Sequence, residues 1–359
     1  MAINLAEKYE SLLDKRFTNK SLTEAFCGHD YDFDGVNTIN VWTLNKADLH
    51  TYTKTGVNRF TGGAAPTNVE DELNTYTLSK DISFAHVIEG YQNQDQKSIK
   101  KANAYMKQVN DEQIVPEIDH YRLERWAGGA GKTVINSTAL TNQTVVRQIL
   151  VGQAHLNNKY VPRDGRVCFV TETLAVETKL AEELGYNPSY TSKAIVNGEV
   201  ARMGGLPIVA VPDGDMPAGV EFMIKYKKAS VDPRKLNYLH AHMNPPGIYG
   251  ALMEGLFRFD SFVLANKANG IYVYGTGGIA ADVTIAVASG TATLTSSGAT
   301  AIYYTVDGSN PKTSKTRALY SGSSKPSGLT AGTVVKAYAE KTGSINSGIA
   351  EHVVLASEA

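Results

Sequence analysis

The stretch Val161-Pro162-Arg163-Asp164-Gly165-Arg166-Val167-Cys168-Phe169-Val170 decides the fold class, because it places a turn and a strand between two helical segments. Asp164-Gly165 is a pair typical of tight turns, and the apolar residues that follow it predict a strand. Before the turn, apolar residues at helical spacing predict a helix over residues 141–160. After the strand, residues 172–184 predict a further helix that ends at Gly185.

Strands and helices continue in an irregular order on the carboxyl side of this stretch. Residues 208–211 and the alternating apolar positions of 220–226 predict two more strands, and residues 259–274 add short apolar runs. The succession lacks the strict strand-helix-strand rhythm of a doubly wound sheet. We therefore predict the α+β class.

The amino-terminal side is less regular. Residues 3–16 predict a short amphipathic helix, and the following residues, through Phe33, predict an extended arm. Residues 43–84 are polar and rich in Thr, Asn and Gly, and we expect two extended segments within them, at 49–53 and 75–79, around a loose tip. An excursion with so few apolar residues cannot form its own core, so it is either disordered or lies on another molecule.

A long helix is predicted next, over residues 96–127, with an apolar stripe along one side. Pro116 removes a backbone donor inside this helix and is expected to kink or divide it. The glycine-rich run at 128–131 ends the helix.

The composition changes near residue 279, where we place a domain boundary. Beyond it the helical period is lost, and short segments alternate apolar with polar residues. The alternating positions are Val283, Ile285 and Val287, then Ile302, Tyr304 and Val306, then Val335, Ala337 and Ala339. Short alternating strands separated by turn pairs such as Asp307-Gly308 predict a small β-sandwich.

Composition narrows the classes of function. The 359-residue chain has a formal net charge of -1, which argues against a dense basic surface for gripping nucleic acid. We expect neither a secretory signal nor a membrane span, and therefore a protein made in the cytoplasm without a membrane partner. Cys27 and Cys168 are too few for a disulfide framework, and we expect buried thiols rather than redox or catalytic groups.

Gly129-Ala130-Gly131-Lys132-Thr133 resembles the end of a phosphate-binding loop, but the motif is incomplete. The pattern requires a glycine five residues before Gly131, where Trp126 stands, and a strand rather than a helix before the loop. We expect a helix-terminating loop instead.

Two further motifs suggest metal ligands without completing a site. His240 and His242 have a spacing compatible with zinc, but a third ligand does not follow them closely. Asp30-Tyr31-Asp32-Phe33-Asp34 resembles the start of a calcium loop, but Val41 stands where the bidentate glutamate belongs. Nucleophile motifs are missing as well, so we predict no catalytic, cofactor-binding or metal-binding residues and no enzymatic activity.

The order of the segments carries a resemblance to a known family. An amino-terminal arm, a long polar hairpin, a long helix and a mixed body follow one another, and several short phrases stand in the family's order. These phrases are Val115-Pro116-Glu117-Ile118-Asp119, Val161-Pro162-Arg163-Asp164-Gly165-Arg166, Asn197-Gly198-Glu199-Val200 with Gly204-Gly205-Leu206-Pro207-Ile208-Val209, Pro245-Pro246-Gly247-Ile248-Tyr249-Gly250 and Phe259-Asp260-Ser261-Phe262-Val263-Leu264. Over residues 1–275 the chain resembles the Hong Kong 97 fold of tailed-bacteriophage major capsid proteins.

The resemblance implies that residues 1–278 form a capsid subunit followed by a separate domain. Its expected parts are an N-arm (1–42), an E-loop (43–84), a peripheral domain with its spine helix (85–136), an axial domain (137–255) and a return to the peripheral domain (256–278). Residues 279–359 lie outside this resemblance and are expected to form an immunoglobulin-like surface domain.

The resemblance also implies partners. Copies of the chain would form the pentamers and hexamers of an icosahedral head that encloses double-stranded DNA, with the N-arm and the E-loop lying on neighbouring subunits. A scaffolding protein and a portal are expected as further partners, and packaged DNA would be contacted without sequence specificity. The expected location is the virion shell, assembled in the host bacterial cytoplasm.

The last domain resembles a second family. Ala301-Ile302-Tyr303-Tyr304-Thr305-Val306-Asp307-Gly308-Ser309-Asn310-Pro311, followed by Val335-Lys336-Ala337-Tyr338-Ala339, is similar to the immunoglobulin-like module at the carboxyl end of chitobiase-type β-hexosaminidases. On a shell such a module would be displayed outside, and the resemblance suggests host-surface glycans as its ligand. Two alternatives stay open: a carbohydrate-binding or glycosidase-associated protein, and another phage structural component such as a decoration or tail protein.

Overall fold

The computed structural model describes residues 21–28, 38–44, 50–62, 65, 71–90, 102–181, 199–203 and 205–359. The helix expected at 3–16, the aspartates at 30–34 and the end of the helix expected at 172–184 lie outside the described residues.

Up to residue 275 the described part of the chain mixes strands and α-helices. The strands are β1 Thr38–Leu44, β2 Asp71–Thr77, β3 Lys80–Glu89, β4 Lys132–Ile135, β5 Arg166–Thr171, β6 Glu199–Met203, β7 Leu206–Val211, β8 Val220–Tyr226, β9 Ser230–Val231, β10 Arg234–Met243, β11 Gly250–Phe259, β12 Phe262–Val263 and β13 Ile271–Gly275. The α-helices are α1 Ala102–Val109, α2 Val115–Gly128, α3 Val145–Asn158 and α4 Glu172–Leu180. The α+β class predicted from the sequence is confirmed.

A six-stranded sheet in the order β4-β13-β8-β5-β7-β6 forms the centre of the body. Successive residues of β5 point to opposite faces, as the pleat of a strand requires. Val167 and Phe169 pack with residues of α2, while Cys168 and Val170 pack with residues of α3 and α4. The sheet therefore lies between two helical layers, which explains the unbroken apolar run of β5.

The predicted long helix is divided, as expected, close to Pro116. A π-helical turn, Asn110–Ile114, stands between α1 and α2, and Pro116 occupies the first turn of α2. A proline is tolerated there because the first N–H groups of a helix have no partner inside the helix. The first half of α2 packs against β11, and its second half packs against the six-stranded sheet.

The second sheet has the order β10-β11-β3 and is antiparallel throughout. Phe257 and Phe259 of β11 pack against Ile118 and Tyr121 of α2. This sheet was not predicted from the sequence, because Leu252 and Leu256 on the less buried face of β11 obscure its alternation of apolar and polar residues.

The polar excursion is a hairpin of β1 and β2, with Thr38 paired to Thr77 and Leu44 to Asp71. The extended segment expected at 49–53 is not one of the paired strands, since its described residues, 50–53, lie between β1 and β2, and the one expected at 75–79 overlaps the end of β2. The strand that pairs with β2 therefore lies earlier in the chain than expected, at β1. Val41 of β1 and Tyr76 of β2 pack at the base of the hairpin against Leu264 of the body.

The carboxyl-terminal part is all β, as predicted. Its strands are β14 Thr284–Ala288, β15 Thr291–Thr295, β16 Ala301–Thr305, β17 Ala318–Leu319, β18 Val334–Glu340 and β19 Ala350–Val353. They form a two-stranded sheet, β14-β15, and a four-stranded sheet, β17-β16-β18-β19. Apolar residues of both sheets share a core, and we call this unit, from Thr284 onward, the C-terminal module.

Candidate interaction surfaces

The tip of the polar hairpin, residues 50–62, presents apolar side chains to solvent. Val57 is 81% exposed and Phe60 is 84% exposed, and the Phe60 ring contacts Tyr52 edge to face with centroids 5.3 Å apart. The Thr53 amide donates to the Arg59 carbonyl over 3.0 Å, which closes the tip on itself. Large exposed apolar groups at the tip of a hairpin are suited to binding another surface.

The strap, residues 21–28, fastens the amino-terminal part of the described chain to α2. The carboxylate of Asp119 accepts hydrogen bonds from the Ser21 hydroxyl (2.7 Å), the Leu22 amide (2.8 Å) and the Thr23 hydroxyl (2.6 Å). Arg122, one turn further along α2, donates to Thr23 and to Glu24. The extended arm expected in this region is thus a compact, hydrogen-bonded turn at residues 21–28.

A buried group of charges lies beneath the strap. The ammonium group of Lys225 donates to the Phe26 carbonyl over 2.7 Å, and Asp232 accepts from the Trp126 indole over 3.0 Å. Burial lowers the pKa of Lys225 to about 8, and the nearby carboxylate of Asp232 opposes that shift. The sequence carries a signal of this site, since a lysine that directly follows the apolar run Phe222–Ile224 of β8 needs a partner if the strand is covered on both faces.

Both cysteines are buried thiols, as expected. Cys27 lies in the strap and Cys168 in β5, and neither is joined in a disulfide. Burial raises the pKa of both thiols above its ordinary value, and for Cys27 the charge of Asp232 raises it further. A thiol in such surroundings is a poor nucleophile.

The loop that resembles a phosphate-binding loop connects α2 to β4, as expected for a helix-terminating loop. Its amides are used internally, since Gly129 donates to Arg125 and Gly131 donates to Ala268. Its remaining polar groups meet the segment that leads into the C-terminal module: Lys132 pairs with Asp282, and Thr133 donates to Asp282 over 3.1 Å.

Lys312 reaches from the C-terminal module to the end of α2. Its ammonium group donates to the carbonyls of Ala130 (2.7 Å) and Gly128 (3.0 Å) and lies 5.8 Å from the centre of the Tyr338 ring. Burial lowers the pKa of Lys312 to about 7, and Asp282 opposes that shift. The last carbonyls of a helix attract a cation, so the position is suited to a lysine.

The two histidines considered as metal ligands lie on β10. The rings of His240 and His242 are 4.3 Å apart, and the His242 Nε2 lies 3.5 Å from a carboxylate oxygen of Glu254. Within the described residues, no group of three or more His, Cys, Asp or Glu side chains is placed to hold a metal ion. Among the same residues, no helix is long and apolar enough to cross a membrane.

Known structures define the class of fold. The capsid structure of cyanophage P-SCSP1u is similar with a TM-score of 0.62 at 10% identity, covering 76% of this chain and 93% of that one. The capsid of Myoviridae phage XM1 has a TM-score of 0.55 at 9% identity, covering 77% and 99%. A chain of Mycobacterium phage Che8 has a TM-score of 0.61 at 13% identity, covering 76% and 98%. The chain therefore has the fold of bacteriophage capsid proteins.

The C-terminal module matches a separate family. Residues 292–354 match the family described as Fn3 associated, which is consistent with an immunoglobulin-like module. No curated protein matches the sequence.

Proposed function

We propose that this protein is the major capsid protein of a tailed double-stranded DNA phage, a structural subunit of the head rather than an enzyme. The observation that carries the proposal is the likeness of fold to phage capsid chains, which extends over 93% and 99% of the length of two of them. A shared fold alone does not define a function, so the surfaces of the chain provide the second argument.

Those surfaces suit a subunit that binds its own copies. The hairpin base is fixed to the body, while its tip presents Val57 and Phe60 to solvent. Burying one such side chain in a neighbour contributes about 1.5–3 kcal/mol. Repeated contacts around a rotation axis close into rings, and arms that reach between rings connect them into a shell.

In this proposal the parts of the subunit have the residue ranges that the resemblance to capsid proteins implies. Residues 1–42 are the N-arm, 43–84 the E-loop, 85–136 and 256–278 the peripheral domain, and 137–255 the axial domain. The subunits form pentamers and hexamers, with a scaffolding protein and a portal as assembly partners and unspecific contacts to the DNA inside.

The C-terminal module, within residues 279–359, is proposed to be displayed on the outside of the head. The quarter of the chain left uncovered by the capsid structures is about as long as this segment. Its match to the Fn3-associated family and its resemblance to a glycosidase module support host-surface glycans as a candidate ligand. Assembled particles should then bind a bacterial glycan array above background, and a blank array would remove this part of the proposal.

The main experiment is expression of the full chain, followed by negative-stain electron microscopy and light scattering. Shells, or rings with five-fold and six-fold symmetry, are the expected result. If the chain stays a monomer or dimer at high concentration, it is co-expressed with the scaffolding protein of its phage. Failure to assemble in that setting as well would refute the capsid proposal.

A further inference from the structure

The six-stranded sheet ends at β4, whose only strand neighbour in the described sheet is β13. An edge strand offers unpaired N–H and C=O groups to any other chain, and proteins that must not pair there cover or block such an edge. A subunit that associates with many copies of itself is especially exposed to wrong pairing, because its local concentration during assembly is high.

The C-terminal module lies directly on this edge. The Ile349 amide donates to the Gly131 carbonyl over 2.9 Å, and the Gly348 amide donates to the Thr133 hydroxyl over 2.7 Å. Gly348 approaches so closely that a Cβ atom added there would stand 2.8 Å from the Thr133 nitrogen. The close approach requires a glycine, although Gly348 does not have a positive φ.

Polar contacts on both sides of this segment hold the module in place. Asp282 binds Lys132 and Thr133 on one side, and Lys312 binds the carbonyls of Gly128 and Ala130 on the other. The Asn310 side chain donates to the Ala265 carbonyl over 3.0 Å. All of these bonds join the module, or the segment leading into it, to the body of the same chain.

Apolar packing continues the contact. Ile279 belongs to the cluster of buried residues around Trp126, and Ile345 of the module packs against the same cluster. The Ala280 amide donates to the Ile345 carbonyl, and the Ile345 amide donates to the Gly278 carbonyl, each over 2.8 Å. The module is therefore packed against the body as well as tethered to it.

We propose that the C-terminal module is an intramolecular cover, which occupies the β4 edge and the end of α2 and so prevents this edge from pairing with another copy of the chain. The proposal does not depend on what the outer surface of the module binds. It concerns a single subunit, and it would hold whether or not the chain forms shells.

Two variants with matched controls test the cover. Gly348→Ala adds a methyl group where the backbone of β4 leaves no room, while Gly322→Ala adds one in the same module with nothing within 4 Å. Lys312→Met removes the cation at the end of α2, while Lys315→Met changes an exposed lysine three residues away. The readout is hydrogen-deuterium exchange of the full chain, peptide by peptide, together with light scattering.

In G348A and K312M we expect exchange at residues 130–136 and 344–350 to accelerate at least about tenfold, since loss of the contact opens both sides together. Exchange at 301–305 should stay slow, because β16 lies inside the module and the module remains folded. Both variants should also associate at lower concentration than the wild type and the two controls. Wild-type exchange in both variants, or faster exchange without increased association, would overturn the proposal.

Discussion

The ammonium group of Lys225 lies 3.8 Å from the centre of the Trp126 ring, and both side chains are shut off from solvent. Lys225 belongs to β8 and Trp126 to α2, while the Phe26 carbonyl that Lys225 also binds belongs to the strap. One buried cation thus joins the strap, the long helix and the central sheet. Its partners include a ring face, a carbonyl and the nearby Asp232, which together offset part of the cost of burying the charge.

Replacing Lys225 by methionine should destabilise the fold by about 3 kcal/mol, because it leaves the Phe26 carbonyl and the Asp232 charge without their cation. Chemical denaturation of the unassembled subunit at pH 7 measures this change. Lys228→Met, which alters an exposed lysine three residues along the chain, should change the free energy of unfolding by less than about 0.5 kcal/mol. Equal stability of K225M and the wild type would show that the buried charge is not needed.

The same lysine predicts a dependence of stability on pH. Its pKa is about 8 in the folded chain, lowered by burial from an ordinary value of 10.5. Between these two pH values the unfolded chain binds more protons than the folded one, so this group makes the free energy of unfolding rise with pH. The free energy of unfolding should rise by about 3 kcal/mol from this group. The rise begins at about pH 8 and is complete near pH 10.5.

The contribution of Lys225 is separated from that of other groups by subtraction. The free energy of unfolding of K225M is measured beside that of the wild type at intervals from pH 7 to 10. The difference between the two proteins should stay constant up to about pH 8 and then increase in favour of the wild type. A difference that does not change with pH would contradict a lowered pKa for Lys225.

Local patterns predicted the parts of the fold whose environment is set by their own residues. The apolar run of β5, the helical spacing of α3 and the alternation of β18 each report which faces are buried, and these elements, like β16, stand close to where they were expected. The break at Pro116 was predictable because the ring of proline acts on its own helix.

Features that depend on distant residues could not be predicted in this way. The partner of β2 is β1 rather than residues 49–53, because packing of the hairpin base against Leu264 fixes the register. The contact of the C-terminal module with Gly131 and Thr133 joins segments that are more than two hundred residues apart in the sequence. The residues of the loop at 129–133 do not indicate which part of the chain covers it. Their mismatch with the phosphate-binding motif argued only against a bound nucleotide.

The strap should detach locally when Asp119 loses its charge. Asp119→Asn leaves one oxygen to accept the hydrogen bonds of Ser21, Leu22 and Thr23, which now reach both carboxylate oxygens. Hydrogen bonds to a charged group contribute about 1.5–3 kcal/mol each, so opening of the strap should become at least about tenfold more frequent. The measurement is the rate at which a thiol reagent labels Cys27, a residue of the strap whose side chain is fully buried against the body.

Cys168 provides an internal control for this experiment. It is equally buried but lies in β5 of the central sheet, so only wider unfolding exposes it. Faster labelling of Cys27 with unchanged labelling of Cys168 is expected. Equal acceleration of both cysteines would mean that Asp119 supports the whole body rather than the strap.

The exposed tip of the hairpin should matter for assembly and not for folding. Phe60 is 84% exposed in the subunit, so Phe60→Ser should leave the free energy of unfolding within about 0.5 kcal/mol of the wild type. If the ring is buried by a neighbouring copy, its loss removes about 2 kcal/mol per contact and raises the concentration needed for assembly by at least about tenfold. Leu355→Ser, at an exposed apolar residue of the C-terminal module, is the matched control and should assemble like the wild type. Light scattering over a concentration series measures the concentration at which each protein assembles. Assembly of F60S at the wild-type concentration would exclude the tip as a contact between subunits.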